Sequence, residues 1–141
     1  MKTNTLIVLS ALFTVITPAV PLILVSLMAI FVDACFGIWR SVKKNGWISF
    51  QSKKLIATVQ KSFLYSGAIL FFYMIEKYIA GDIIAHFISV ELIITKSVAF
   101  FCVFTEVKSI NENYKDVTGV DLLTKFKAFM TGLKKESDKW K

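Results

Sequence analysis

Three charged side chains stand where apolar neighbours leave them little room: Asp33, Glu91 and Lys96 all fall within long runs of hydrophobic residues. A charge there can line a water-filled path, exchange a proton or pair with a charge on another helix. At the centre of a lipid-embedded helix it costs about 2.5–3.5 kcal/mol. Ala29, Asp33 and Gly37 recur at four-residue spacing and so share one helix face. The two small residues let a second helix come close to the carboxylate. Two readings follow: Asp33 lines a pore or an oligomer contact, or it reaches the headgroup region near Arg40 or is held protonated. Glu91 and Lys96 are five residues apart, about 140° around a helix. They pair poorly with each other, so each calls for a partner on another helix, another subunit or in water. Asp33 is one candidate for Lys96, although a helical lysine leans toward the N-terminal end, away from it. The plainer alternative is that both side chains snorkel.

No set of residues suggests enzyme chemistry. The chain has one histidine, His86, without ligand spacing around it, so neither a metal site nor a catalytic triad is expected. A glycine-rich phosphate loop, an HExxH pair and a nucleophile elbow are all missing. No cofactor is expected. Thr58, Ser62 and Ser66 form a stripe suited to helix packing. Cys35 and Cys102 lie in apolar blocks and read as small hydrophobes. The aromatics concentrate in those blocks too, which argues against a base-stacking platform and a nucleic-acid partner.

The elements that must position these residues are set by the apolar blocks. Of 141 residues, 55% are hydrophobic and 19% charged, more apolar surface than a soluble domain of this size can bury. The block from Thr5 to Trp39 carries only Asp33 as a charge and exceeds the roughly 20 residues of one crossing. Pro18 and Pro21 divide it into helices over 4–17 and about 20–40. Lys2, the apolar core and Thr17-Pro18-Ala19 also fit a cleaved signal peptide; the segment is read here as a retained membrane helix. A second block spans Ser62–Ala80, Gly81-Asp82 makes a tight connection, and a third spans Ile83–Thr105 with Lys96 near its middle. Asn45-Gly46 marks a turn, and Phe50–Lys61 reads as a short amphipathic helix. In the tail, Leu122, Phe126, Phe129, Met130 and Leu133 recur at helical spacing behind Asp121 as N-cap. The expectation is an all-α integral membrane protein: three to four transmembrane helices and a C-terminal amphipathic helix. Its organisation is an N-terminal helix (1–18), a membrane domain (19–106) and a basic tail (107–141).

The net charge of +7 is placed between and after the blocks. Arg40, Lys43, Lys44, Lys53, Lys54 and Lys61 fill residues 40–61 without one acid, which suits an anionic membrane surface. Basic segments stay in the cytoplasm, so the 40–61 loop and the C-terminus are placed inside and the Gly81 turn outside, in a multi-pass arrangement.

Two stretches carry a resemblance. One span ends in Val32-Asp33-Ala34-Cys35-Phe36-Gly37, and the last ends in Thr105-Glu106-Val107-Lys108-Ser109-Ile110-Asn111-Glu112-Asn113. Over roughly residues 20–125 this resembles the phage-lysis and toxin-secretion holin family, through Asp33 and Gly37 in the first motif and Glu106, Ser109, Ile110, Glu112 and Asn113 in the second. Ala34, where the family often has an aromatic, and Lys96 depart from it. The resemblance implies a non-enzymatic homo-oligomer of the bacterial inner membrane. It would open lesions for a cell-wall hydrolase, or a toxin, without binding it directly. The rival is a membrane-anchored adaptor acting through its basic tail. Deleting 120–141 separates them: a holin keeps some lesion-forming ability, an adaptor loses its function.

Overall fold

The two prolines break the first apolar block. In the computed structural model, which describes residues 2–46 and 52–137, α1 (Lys2–Ile16) gives way to a 3₁₀ turn (Thr17–Ala19) and then α2 (Val20–Asn45). Pro21 sits in the first turn of α2, where a missing N–H is harmless. That helix runs past the expected residue 40 and stops at Gly46, whose φ of 75° ends it and whose N–H bonds Val42 O at 2.9 Å.

The next helix, α3 (Ser52–Ile75), absorbs the separate amphipathic helix expected up to Lys61. Phe50 and Gln51 of that expected helix lie outside the described residues. Beyond α3 the sequence reading needs correction. No tight turn forms at Gly81-Asp82. Instead a π-helical turn (Glu76–Ala80) passes into a short helix, α4 (Gly81–Phe87). The chain then breaks at extended Ile88 and left-handed Leu92 (φ 55°) before α5 (Ile93–Thr118). The expected span over 83–105 is therefore two helices. Lys96 lies in the first turn of α5, not mid-span, and Glu91 precedes that helix. The cause is Glu76: its carboxylate accepts hydrogen bonds from the N–H groups of Ile94 and Thr95, so a new helix starts there.

Gly81 is required by the π turn. A Cβ at this position would lie 2.7 Å from the carbonyl oxygen of Glu76, inside contact distance. Gly81→Ala is expected to destabilise the fold by about 1–3 kcal/mol, the usual range for overpacking. Chemical unfolding in detergent followed by helix signal measures it; unchanged stability would show that the turn relaxes freely.

Downstream, α5 crosses the 106/107 division without interruption and ends at left-handed Gly119. The tail helix, α6 (Leu122–Ser137), starts as its sequence suggests: Asp121 Oδ1 accepts the N–H of Thr124 at 3.1 Å. Asn111 Oδ1 adds bonds from the N–H groups of Leu122 (2.8 Å) and Leu123 (3.2 Å). The Thr124 bond, foremost, holds the Asp121 carboxyl below its ordinary value. Its contribution to α6 is therefore full above the ordinary aspartate pKa of about 3.9 and is lost as pH falls through the lowered value. The protection of the Thr124 amide, its exchange rate corrected for the intrinsic pH dependence, should fall on acidification in the native chain. In Asp121→Asn, which still caps, this dependence should vanish.

Helices α2, α3 and α5 form the bundle, with α2 against α5 the most extensive contact. Its polarity is inverted relative to a water-soluble protein. Buried inside are Ser26, Thr95, Glu76, Glu106, Asn111 and Asn113, beside a thin apolar set that includes Ile30, Ile69 and Ala99. Facing outward are Met28, Phe31, Phe63, Phe71, Phe100 and Phe101. Water would penalise this arrangement; hydrocarbon favours it. Among the described residues one stretch, Thr5–Lys44, is long and apolar enough by itself to cross a bilayer. Along α1, Leu6, Ile7, Val8 and Phe13 are exposed, and its end is fixed by Tyr73, whose hydroxyl donates to Val15 O at 2.6 Å.

Candidate functional site

From the sequence, Lys96 is the one named candidate partner for Asp33; the structure gives Asp33 others. On α2, Asp33, Gly37, Arg40 and Lys44 fall on one face, which lies against α5. On α5, Glu106, Asn113 and Asp116 recur at a spacing of seven and three and face α2 and α3. Lys61 and Tyr65, one turn apart on α3, complete the set. These positions place a line of polar groups along the helix contacts.

Lys61 Nζ stands between two carboxylates, 3.1 Å from Glu106 Oε2 and 3.4 Å from Asp33 Oδ2. The other Glu106 oxygen accepts the Tyr65 hydroxyl at 2.8 Å. The other Asp33 oxygen accepts Asn113 Nδ2 at 3.0 Å. Arg40 donates to Asn113 Oδ1 at 3.2 Å and pairs with Asp116, which also holds Lys44 at 3.2 Å. Lys43 closes the end with a 2.8 Å bond to Val117 O. Glu106 is 0% exposed, and no buried side-chain polar atom among the described residues is without a hydrogen-bond partner. Gly37 lies beside this set: a Cβ there would meet Asn113 Nδ2 at 3.8 Å, an ordinary contact.

The chemistry is that of a latch. Two carboxylates share one ammonium, so removing or moving Lys61 leaves like charges facing each other in a poorly solvated contact. Asp33, read from the sequence as a pore or oligomer contact or as a carboxylate reaching the headgroups, has partners within its own chain.

A second polar set lies at the far end of α3. Glu76, 3% exposed, accepts the N–H groups of Ile94 (2.9 Å) and Thr95 (2.8 Å) and the Thr95 hydroxyl (2.6 Å). It is a helix cap supplied by a neighbouring helix. Beside it Lys77 donates to Tyr73 Oη at 3.0 Å.

The remaining site residues divide. Ala29 is half-buried on α2. Glu106 and Asn113 of the second motif enter the latch, Ser109 and Ile110 are half-buried, and Glu112 is exposed. Glu91 and Lys96 are exposed and are not brought to Asp33. Arg40, Lys43, Lys44 and Lys61, read from the sequence as membrane-surface cations, each bond α5 or α2 while staying partly exposed. The side chains of Lys53 and Lys54 lie outside the described residues. Cys35 is exposed and Cys102 half-buried. Sequence reasoning missed Tyr65, Glu76, Asn111 and Asp116. The available signal for Tyr65 was its position one turn after Lys61.

Residues 9–135 match the model of the bacteriophage holin family. The chain belongs to that family. This places it among membrane proteins of phage lysis that are generally not enzymes and that reside in the inner membrane. Both motifs, and the latch built from them, fall inside the holin match. No curated protein and no solved structure matches the chain.

Proposed function

We propose that this holin oligomerises in the inner membrane and opens lesions through which a cell-wall hydrolase, or a toxin, leaves the cytoplasm. The observation that carries the reading is the inverted bundle, polar along its helix contacts and apolar outside. Each protomer satisfies its own polar groups and is inert in lipid while the latch is closed. Opening α3 away from α2 and α5 would bare Asp33, Lys61 and Glu106, which lipid cannot solvate. Contacts between copies, or a water-filled lesion, would then accommodate them.

In this reading α2, α3 with its π turn, and α5 cross the membrane. Twenty-six residues in α2 and in α5 span about 39 Å, beyond the roughly 30 Å of hydrocarbon. The fifteen residues of α1 span about 22 Å and lie at the outer surface. Three crossings put the 40–61 segment and the C-terminus in the cytoplasm, as the basic residues require. The Lys-flanked apolar face of α6, with Leu122, Phe126 and Phe129 exposed, rests on the anionic inner leaflet.

The test is co-expression in a bacterium with a cell-wall hydrolase that lacks a signal peptide. Lysis is expected only with both proteins, after a delay, and Asp33→Asn should change that delay. Lysis by the hydrolase alone, or its retention in cells rich in the holin, would refute the reading. Native timing in Asp33→Asn would remove Asp33 from the mechanism.

A further inference from the structure

At the end of the bundle opposite the latch, the break between α3 and α5 leaves a cleft of about 480 Å³. Three uncommon backbone features meet around it: the π-helical turn that carries Lys77, the glycine-dependent start of α4, and left-handed Leu92. Ile84, Ala85, Ile88 and Leu92 make the apolar part of its wall, and three charged residues line it, Glu76, Lys77 and Glu91. The Glu76 carboxylate is already taken up by Ile94 and Thr95, which leaves Lys77 and Glu91 to meet a ligand. Lys77 bonds a neutral phenol, Tyr73, and lies over its ring, 5.5 Å from the centroid. Neither Lys77 nor Glu91 joins an ion pair among the described residues, in contrast to Lys61, Asp33 and Glu106 at the other end. Ile83 and Phe87, next in sequence to the lining residues Ile84 and Ile88, are exposed apolar side chains.

An ammonium, a separate carboxylate and an apolar wall are complementary to one kind of molecule: an amphiphile whose head carries both a phosphate and an amine. We propose that this cleft binds an amine-bearing phospholipid, its phosphate on Lys77 Nζ, its ammonium at Glu91 and its acyl chain along Ile84, Ile88 and Leu92. A charge-assisted bond from Lys77 supplies affinity. Glu91 supplies selectivity, since it repels a headgroup that is anionic overall. This site stands apart from the lytic reading, because binding is measured on the protein itself, without lysis.

Native mass spectrometry of the full chain in detergent tests it, with phosphatidylethanolamine, phosphatidylglycerol or water-soluble glycerophosphoethanolamine added. One phosphatidylethanolamine should load in preference to phosphatidylglycerol, and the tail-free headgroup should not load. Lys77→Gln should weaken binding about tenfold, as expected for one lost charge-assisted bond. Lys77→Arg should retain it, and Glu91→Gln should abolish the preference between the two lipids. Lys108→Gln, an exposed lysine outside the cleft, should load as the native chain does. Equal loading of both lipids on the native chain, or native loading by Lys77→Gln, would overturn the proposal. If Lys77→Gln fails to fold, Glu91→Gln decides: its side chain is exposed, and an unchanged lipid preference would overturn the assignment.

Discussion

Lys61→Met should lower the stability of the bundle by about 3 kcal/mol, the low end of the loss seen when one partner of a buried ion pair is removed. The low end applies because the Lys61 side chain is 39% exposed, whereas that of Glu106 is 0% and that of Asp33 14%. The variant leaves two carboxylates near each other with no shared cation. Glu106 keeps the Tyr65 hydroxyl and Asp33 keeps the Asn113 amide, but neither bond neutralises a charge. The result is read by unfolding in detergent and, in cells, by lysis that begins earlier than with the native chain. The double variant Lys61→Met/Glu106→Gln should recover most of the lost stability, because the neutral amide still accepts from Tyr65. Equal stability of Lys61→Met and the native chain would show that the ammonium is dispensable and that the latch is not electrostatic.

The second large effect is expected at Glu76. Glu76→Ala removes three hydrogen bonds from the first turn of α5, two from the N–H groups of Ile94 and Thr95 and one from the Thr95 hydroxyl. Typical capping losses are about 1 kcal/mol, and bonds to a buried charged group are worth about 1.5–3 kcal/mol. Together they set an expected destabilisation of about 3 kcal/mol. The loss should be local in character: amide exchange at Ile94 and Thr95 should accelerate more than at Asn113. Glu76→Gln should fall between the two, since its side-chain carbonyl accepts only part of the set. Uniform acceleration along α5 would mean that Glu76 supports the whole bundle and is not a cap.

How far these features are legible in the sequence depends on the distance over which they are encoded. Local signals read correctly: Pro18 and Pro21 divide the first block, the turn at Asn45-Gly46 ends a helix, and Asp121 starts α6. The break at 88–92 was invisible because the residues around it are as apolar as a span, and the signal for a new helix lies at Glu76, 17 residues before α5 starts at Ile93. The latch was half legible. Asp33 and the Glu106–Asn113 stretch stand out by type and place. Lys61, however, was grouped with the other loop lysines, because nothing local distinguishes the one that pairs with Asp33 and Glu106. Its hydrogen-bond partners are 28 and 45 residues away in the chain. Charge patterning gives the side of the membrane on which a lysine lies, and packing alone gives its partner.

The central claim, that the chain permeabilises the inner membrane, is tested most directly by the membrane potential of bacteria in which it is induced alone. A potential-sensitive dye should report a steady signal, then an abrupt collapse once the protein has accumulated. A potential that stays normal at high expression, with the protein present in the membrane fraction, would contradict it.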